Sequence, residues 1–155
     1  LAHSKGLWLC AAESLTAGLV ASGLASLPGA SKSFIGAIVA YQDQAKSQLL
    51  GVSSSLIANQ SAVDPEVAAQ LATAASHKFA LAMGLPSDKV LAVSTTGVAG
   101  PDSVGDKSPG EVYLAVARGD DVQVYAELFQ GDRDEVRRAA TTRALALLRE
   151  HLEAL

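Results

Sequence analysis

Two nearly unbroken apolar runs of strand length, LWLCAA at 7–12 and FIGAIVAY at 34–41, flank a segment with helical spacing, and few folds accommodate that order. Strands that are apolar on both sides need cover on both faces, so both runs are expected in the middle of a sheet. Between them, Thr16 to Leu27 carries Leu19, Val20, Gly23 and Leu24 on one helical face and stops at the turn signal PGAS. The order strand, helix, strand implies a parallel pair with a helical crossover.

The remaining elements extend this core. DQAKSQLLGV reads as a short helix ending at Gly51, and SSSLIANQ as another with a serine cap. VDPEVAAQL is a marked helix start: Asp64 caps, Pro65 suits the first turn and Glu66 favours the positive end of the dipole. Val67, Leu71, Ala75, Phe79 and Met83 form its expected buried stripe, and Gly84 with Pro86 ends it before the strand VLAVST at 90–95. GEVYLAVARGDDVQVYAELF reads as two strands joined by a Gly-Asp-Asp turn, an antiparallel addition that makes the sheet mixed. The last helix starts at GDRDEVRR, with Asp132 and Glu135 close to a capping box. Val136, Ala140, Ala144, Leu147 and Leu148 face its core side, and Arg137, Arg149 and Glu150 are free to stay wet. The sum is an α/β fold, a three-layer α/β/α sandwich with a mixed sheet of about five strands.

A length of 155 residues fits one domain, and 49% hydrophobic against 18% charged residues suits a packed core. The formal charge of −4 offers no general attraction to phosphate backbones or anionic lipid, so neither nucleic acid nor membrane is expected as a partner. Cys10 is the one cysteine, so no internal disulfide forms, and no apolar run reaches the roughly 20 residues of a helical membrane span. With no signal-peptide pattern, these features point to a cytoplasmic protein. The chain opens at Leu1, and LAHSKG resembles the last turn of a helix stopped by Gly6, so part of an N-terminal helix is expected to lie upstream.

Loops leaving the carboxyl ends of parallel strands gather into one ligand-binding crevice. Here those loops are ESLT, YQDQAK and STTGVAGPD. Ser14, at a strand-to-helix junction, has two readings: a nucleophile whose oxyanion is met by N–H groups at the helix start, or, like Thr16, a helix cap. Glu13 either orients a substrate group or favours the helix N-terminus. No histidine is well placed as a base for Ser14, whereas a desolvated Lys46 loses enough basicity to accept its proton, with Tyr41 relaying or orienting it. A solvated Lys46 and a packing Tyr41 are the plainer alternatives. Thr95, Thr96, Gly97 and Gly100 could approach an anion or amide, or form a structural turn. Arg133, a cation in a helix's first turn, opposes the dipole and calls for an anion nearby, either a bound phosphate or Asp132, Asp134 and Glu135. No cluster has metal-ligand spacing.

In order along the chain, AAESLTAGLVAS, FIGAIVAYQDQAKSQLLGV, VDPEVAAQLA, VSTTGVAGPD, PGEVYLAVA and GDRDEVRRAA resemble the C-terminal domain of competence-damage-inducible proteins, a family that includes stand-alone nicotinamide mononucleotide deamidases. The resemblance spans nearly the whole chain. It implies an α/β/α domain that hydrolyses the carboxamide of nicotinamide mononucleotide to nicotinic acid mononucleotide and ammonia, with no metal or other cofactor. It implies Ser14 as nucleophile, Lys46 as base and Tyr41 beside the reacting groups. Thr96 and Gly97 then sit in the pocket and Arg133 binds substrate, with Glu13 and Thr16 assigned to the same substrate-binding set. The chain departs from the family's frequent E-S-C-T-G-G at Leu15 and Ala17, and its loop SVGDKSPG replaces a shorter glycine-rich form. The alternative is a catalytically silent module that binds a pyridine nucleotide. The expected partner is a small nucleotide amide, and a homo-oligomer is compatible with the reading.

Overall fold

The computed structural model describes residues 1–155, and its centre is a five-stranded mixed sheet in the order β2-β1-β3-β4-β5. The strands are β1 (Trp8–Glu13), β2 (Phe34–Val39), β3 (Val90–Gly97), β4 (Glu111–Arg118) and β5 (Asp121–Leu128). β1 pairs in parallel with both β2 and β3, while β4 runs antiparallel to β3 and to β5. The helices are α1 (Leu19–Ala25), α2 (Asp43–Leu50), α3 (Ser54–Asn59), α4 (Pro65–Met83) and α5 (Arg133–Glu153). The three-layer expectation holds. One core joins Leu9, Ala11, Leu91 and Val93 of the sheet to Val20 of α1 and Val136, Ala140, Ala144 and Leu147 of α5. On the other face, Cys10, Ala12, Val90 and Ala92 meet Leu50 of α2 and Val67, Leu71 and Ala75 of α4. No helix is long and apolar enough to cross a membrane.

The cap chemistry at three helices follows the sequence. Asp64 accepts from Glu66 N–H with Pro65 in the first turn, Ser53 accepts from Leu56 N–H, and Asp132 with Glu135 forms a complete capping box. Gly6, Gly51 and Gly84 close their turns in the left-handed conformation, as expected of glycines that end helices.

Three expectations are corrected. The run at 34–41 lies on an edge strand, β2, not mid-sheet; α1 and α4 cover it only in part, so most of its residues are half-buried. The buried stripe of α4 stops short of Met83, which is 46% exposed as the helix's last residue before the closing Gly84. The first crossover helix begins at Leu19, three residues later than the periodicity suggests. Ala17 and Gly18 both have positive φ, 46° and 97°, and a chain in the left-handed region cannot continue a right-handed helix.

Candidate active site

The late start of α1 makes room for a turn, Ser14 to Ala17, between β1 and the helix. Ala17 N–H donates to Ser14 O at 3.0 Å and closes it. Neither Ser14 nor Thr16 caps the helix. Glu13, the last residue of β1 and only 1% exposed, does so: its carboxylate accepts from Gly18 N–H (2.9 Å), Val20 N–H (3.1 Å) and Ala21 N–H (2.9 Å). Its Oε2 also accepts the Thr16 hydroxyl at 2.7 Å. Since that spends the Thr16 proton, the 2.8 Å contact between Thr16 and Thr95 hydroxyls runs from Thr95 to Thr16. Thr95 Oγ1 in turn accepts Ser14 N–H at 3.3 Å, and Thr95 O accepts the same N–H at 3.0 Å. Glu13 and Thr16 thus form the foundation under the turn and are absent from the cavity lining, a support position rather than the substrate-contacting one expected for them.

This foundation leaves particular groups free. Ser14 lines a cavity of about 420 Å³, and its hydroxyl takes no part in capping. The N–H groups of Leu15 and Thr16 donate to no acceptor in the protein. The oxyanion donor available beside Ser14 therefore lies in the turn: the N–H of Leu15, a residue that lines the cavity. The helix-start N–H groups, expected in that role, are all committed to Glu13 or, for Leu19, to Thr16 O.

Lys46, Tyr41, Thr96, Gly97 and Arg133 line the same cavity as Ser14, so six of the eight residues named with the family resemblance converge from four separate segments. Lys46 is 2% exposed, and burial lowers its pKa below the ordinary lysine range, an effect that nearby Asp43 partly offsets. Its Nζ donates to Tyr41 O at 2.9 Å and stands 3.8 Å from Asp43 Oδ1; its hydrogen bond goes to that carbonyl and not to Ser14. Catalytic hydrogen bonds commonly tighten only around a bound substrate. Thr96, at the end of β3, donates its hydroxyl to Ala62 O at 2.7 Å. Gly97 is required by packing: a Cβ there would lie 2.7 Å from Val112 Cγ2 and 2.8 Å from Glu111 O.

Arg133 resolves the charge question at the start of α5. Asp132 and Glu135 are engaged in the capping box, and Asp134 pairs with Arg138 at 2.7 Å. The guanidinium instead reaches two neutral acceptors, Gly100 O and the Tyr41 hydroxyl, each at 2.8 Å. It is a cation at the cavity with no carboxylate partner, tying the loops after β2 and β3 to α5. A second arginine escaped the sequence reading: Arg137, expected to stay wet, is half-buried and donates to Leu15 O (2.8 Å) and Thr16 O (3.3 Å). Its spacing from Arg133, one helical turn, puts both on one face and was the available signal.

The rest of the lining comes from Ala62 and Val63 before α4 and from the loop 98–104. That loop leaves and rejoins the sheet at one point, where Val98 N–H donates to Glu111 O (2.9 Å) and Gly110 N–H to Val98 O (2.7 Å). No group of three or more His, Cys, Asp or Glu side chains is assembled to hold a metal. Cys10 is buried in the core, and its thiol pKa is raised by that burial.

Comparison with known proteins gives the chain's family and supports its fold. Residues 1–152 match the family model described as the CinA C-terminal domain. A CinA-like protein of Geobacter sulfurreducens is 40% identical over 153 residues, covering 98% of this chain and 35% of the relative. A CinA-like protein of Geotalea uraniireducens is 37% identical over 156 residues, covering all of this chain and 35% of the relative. The chain thus spans about a third of the length of these curated relatives. Among solved structures, a competence-damaged protein (CinA) superfamily protein from Escherichia coli superposes with a TM-score of 0.86 at 31% identity, covering 99% of this chain and 83% of that one. The competence damage-inducible protein A of Klebsiella pneumoniae gives 0.87 at 28% identity, covering 97% and 89%.

Proposed function

The chain belongs to the CinA C-terminal domain family, and from that premise we propose that it is an amidohydrolase acting on the carboxamide of nicotinamide mononucleotide. The observation that carries the reading is the meeting, in one cavity, of a serine hydroxyl spared from helix capping and a buried lysine of lowered basicity. A lysine that loses its charge can serve as a base, which a solvated one cannot do near neutral pH. Arg133, without a carboxylate partner, suits the phosphate of a nucleotide.

In this mechanism Ser14 Oγ attacks the carboxamide carbon while Lys46 Nζ takes the hydroxyl proton. The carbonyl π electrons move to oxygen, and the oxyanion is met by the Leu15 N–H. As the tetrahedral species collapses, the C–N bond breaks, the Lys46 proton passes to the leaving nitrogen and ammonia departs. Water then attacks the Ser14 ester; Lys46 takes the water proton and returns it to Ser14 Oγ, freeing the acid. The balance is one amide and one water to one acid and one ammonia, with no other reactant.

Ammonia release should be measured with nicotinamide mononucleotide and a panel of small amides, alongside calorimetric binding. The wild-type protein is expected to release ammonia, and Ser14→Ala to bind the nucleotide but release none. Turnover retained by pure Ser14→Ala rules out the serine mechanism. The Lys46 hydrogen bond to Tyr41 O favours a second reading, a silent pyridine-nucleotide-binding module, and binding without ammonia from the wild-type protein would select it.

A further inference from the structure

We propose that Arg137 is a positioning residue of this site, clamping from α5 the Ser14–Ala17 turn that carries the nucleophile and the Leu15 N–H offered to the oxyanion; this rests on the serine mechanism above. Arg137 lies on α5, more than 120 residues along the chain from the turn it holds, and no carboxylate pairs with it. Its Nε donates to Leu15 O at 2.8 Å and its Nη2 to Thr16 O at 3.3 Å, so one rigid fork grips two successive carbonyls.

The consequence follows from peptide planarity. In a trans peptide the N–H points opposite to the C=O. Holding Leu15 O toward α5 therefore aims Thr16 N–H away from α5, and holding Thr16 O sets the Ala17 N–H that closes the turn on Ser14 O. The closed Ser14 carbonyl fixes in turn the plane that carries Leu15 N–H. Leu15, which lines the cavity, is 3% exposed, and Thr16, outside the lining, is 0% exposed. A buried donor without an acceptor is costly, and a site that keeps two of them side by side needs something to hold them there.

Ala17 sharpens the requirement. With φ at 46°, it occupies a conformation unfavourable for a residue with a Cβ, so the turn has a standing tendency to relax that the α5 clamp opposes.

The test uses a fluorophosphonate probe, whose phosphonylation of a serine, with loss of fluoride, needs the nucleophile and an oxyanion donor but no natural substrate. Labelling is followed by intact mass on the wild-type protein, Ser14→Ala, Arg137→Met and Arg137→Lys, with melting temperature and nucleotide affinity measured beside it. The wild-type protein should label at Ser14. Arg137→Met, which keeps the side-chain length without the fork, should label about ten- to a hundredfold more slowly, a loss at or below that of one oxyanion donor. Arg137→Lys, with a single point donor, should recover part of that rate, and nucleotide affinity should stay within about threefold of wild type. An Arg137→Met protein that is folded and labels at the wild-type rate overturns the positioning role while leaving the serine mechanism standing. Absence of labelling in the wild-type protein, or labelling that survives Ser14→Ala, overturns the serine mechanism and this role with it. If Arg137→Met does not fold, Arg137→Lys decides by the same rate comparison.

Discussion

Replacing Glu13 by glutamine distinguishes a carboxylate that holds a helix from one that handles substrate. The carboxylate accepts four hydrogen bonds, three at Oε2 from the Thr16 hydroxyl, Gly18 N–H and Val20 N–H, and one at Oε1 from Ala21 N–H. In Glu13→Gln the amide oxygen can take the three-donor position, and its NH₂ group is then forced against the Ala21 N–H. Loss of that charge-assisted bond costs about 1.5–3 kcal/mol. Loss of the negative charge at the positive end of α1 adds about 0.3–1 kcal/mol, for a destabilisation of about 2–4 kcal/mol. For a chain of this size, each kcal/mol shifts the thermal midpoint by about 2–4 °C, so a fall of about 5–15 °C is expected. The assay is thermal unfolding followed by circular dichroism, paired with KM for ammonia release. A midpoint within about 1 °C of wild type, together with a raised KM, refutes the capping argument and returns Glu13 to the substrate.

Lys46→Met should abolish ammonia release without lowering the melting temperature at pH 7, since it replaces a desolvated amine by an apolar side chain of similar length. In the wild-type protein, kcat should rise with pH through a midpoint below the ordinary lysine value of about 10.4, because the base must be unprotonated. The same shift makes stability rise with pH between the lowered folded pKa and the ordinary value, where the unfolded chain binds the additional proton; urea titrations across that window should show the slope, absent in Lys46→Met. Arg133→Gln should raise KM for the nucleotide by about ten- to a hundredfold, the worth of a charge-assisted bond, and leave kcat nearly unchanged, as read by steady-state ammonia release.

What the sequence revealed of the fold was everything with a local cause. Asp64, Ser53 and the Asp132–Glu135 pair act within three residues of themselves, and their caps are where the spacing puts them. The placement of β2 at the edge was not legible, because a continuous apolar run records coverage of both faces and not the number of hydrogen-bonded neighbours. At the site, Ser14, Tyr41, Lys46, Thr96 and Gly97 were reachable because strand-end loops in a parallel sheet share one crevice, and Arg133 because a cation in a helix's first turn calls for a partner. The foundation was less so: Glu13 caps from five to eight residues upstream, beyond the usual cap spacing, so Ser14 and Thr16 looked like the caps. Arg137 was hidden for a simpler reason. Its partners are main-chain carbonyls, which carry no residue identity, on a turn joined to it only through the folded core.

The paired hydrogen bonds between Val98 and the Gly110–Glu111 segment act as a neck that separates the loop's interior from the sheet. Length changes inside 101–108 therefore need not propagate into β3 or β4, and doubling such a loop costs only about 0.6 kcal/mol in closure entropy. The two neck glycines have no such latitude. A Cβ on Gly97 would strike β4, and one on Gly110 would strike the Phe129 carbonyl at the end of β5. The segment behaves as an exchangeable cassette on fixed anchors, so this wall of the cavity can be rewritten for a differently shaped ligand without moving the serine or the lysine.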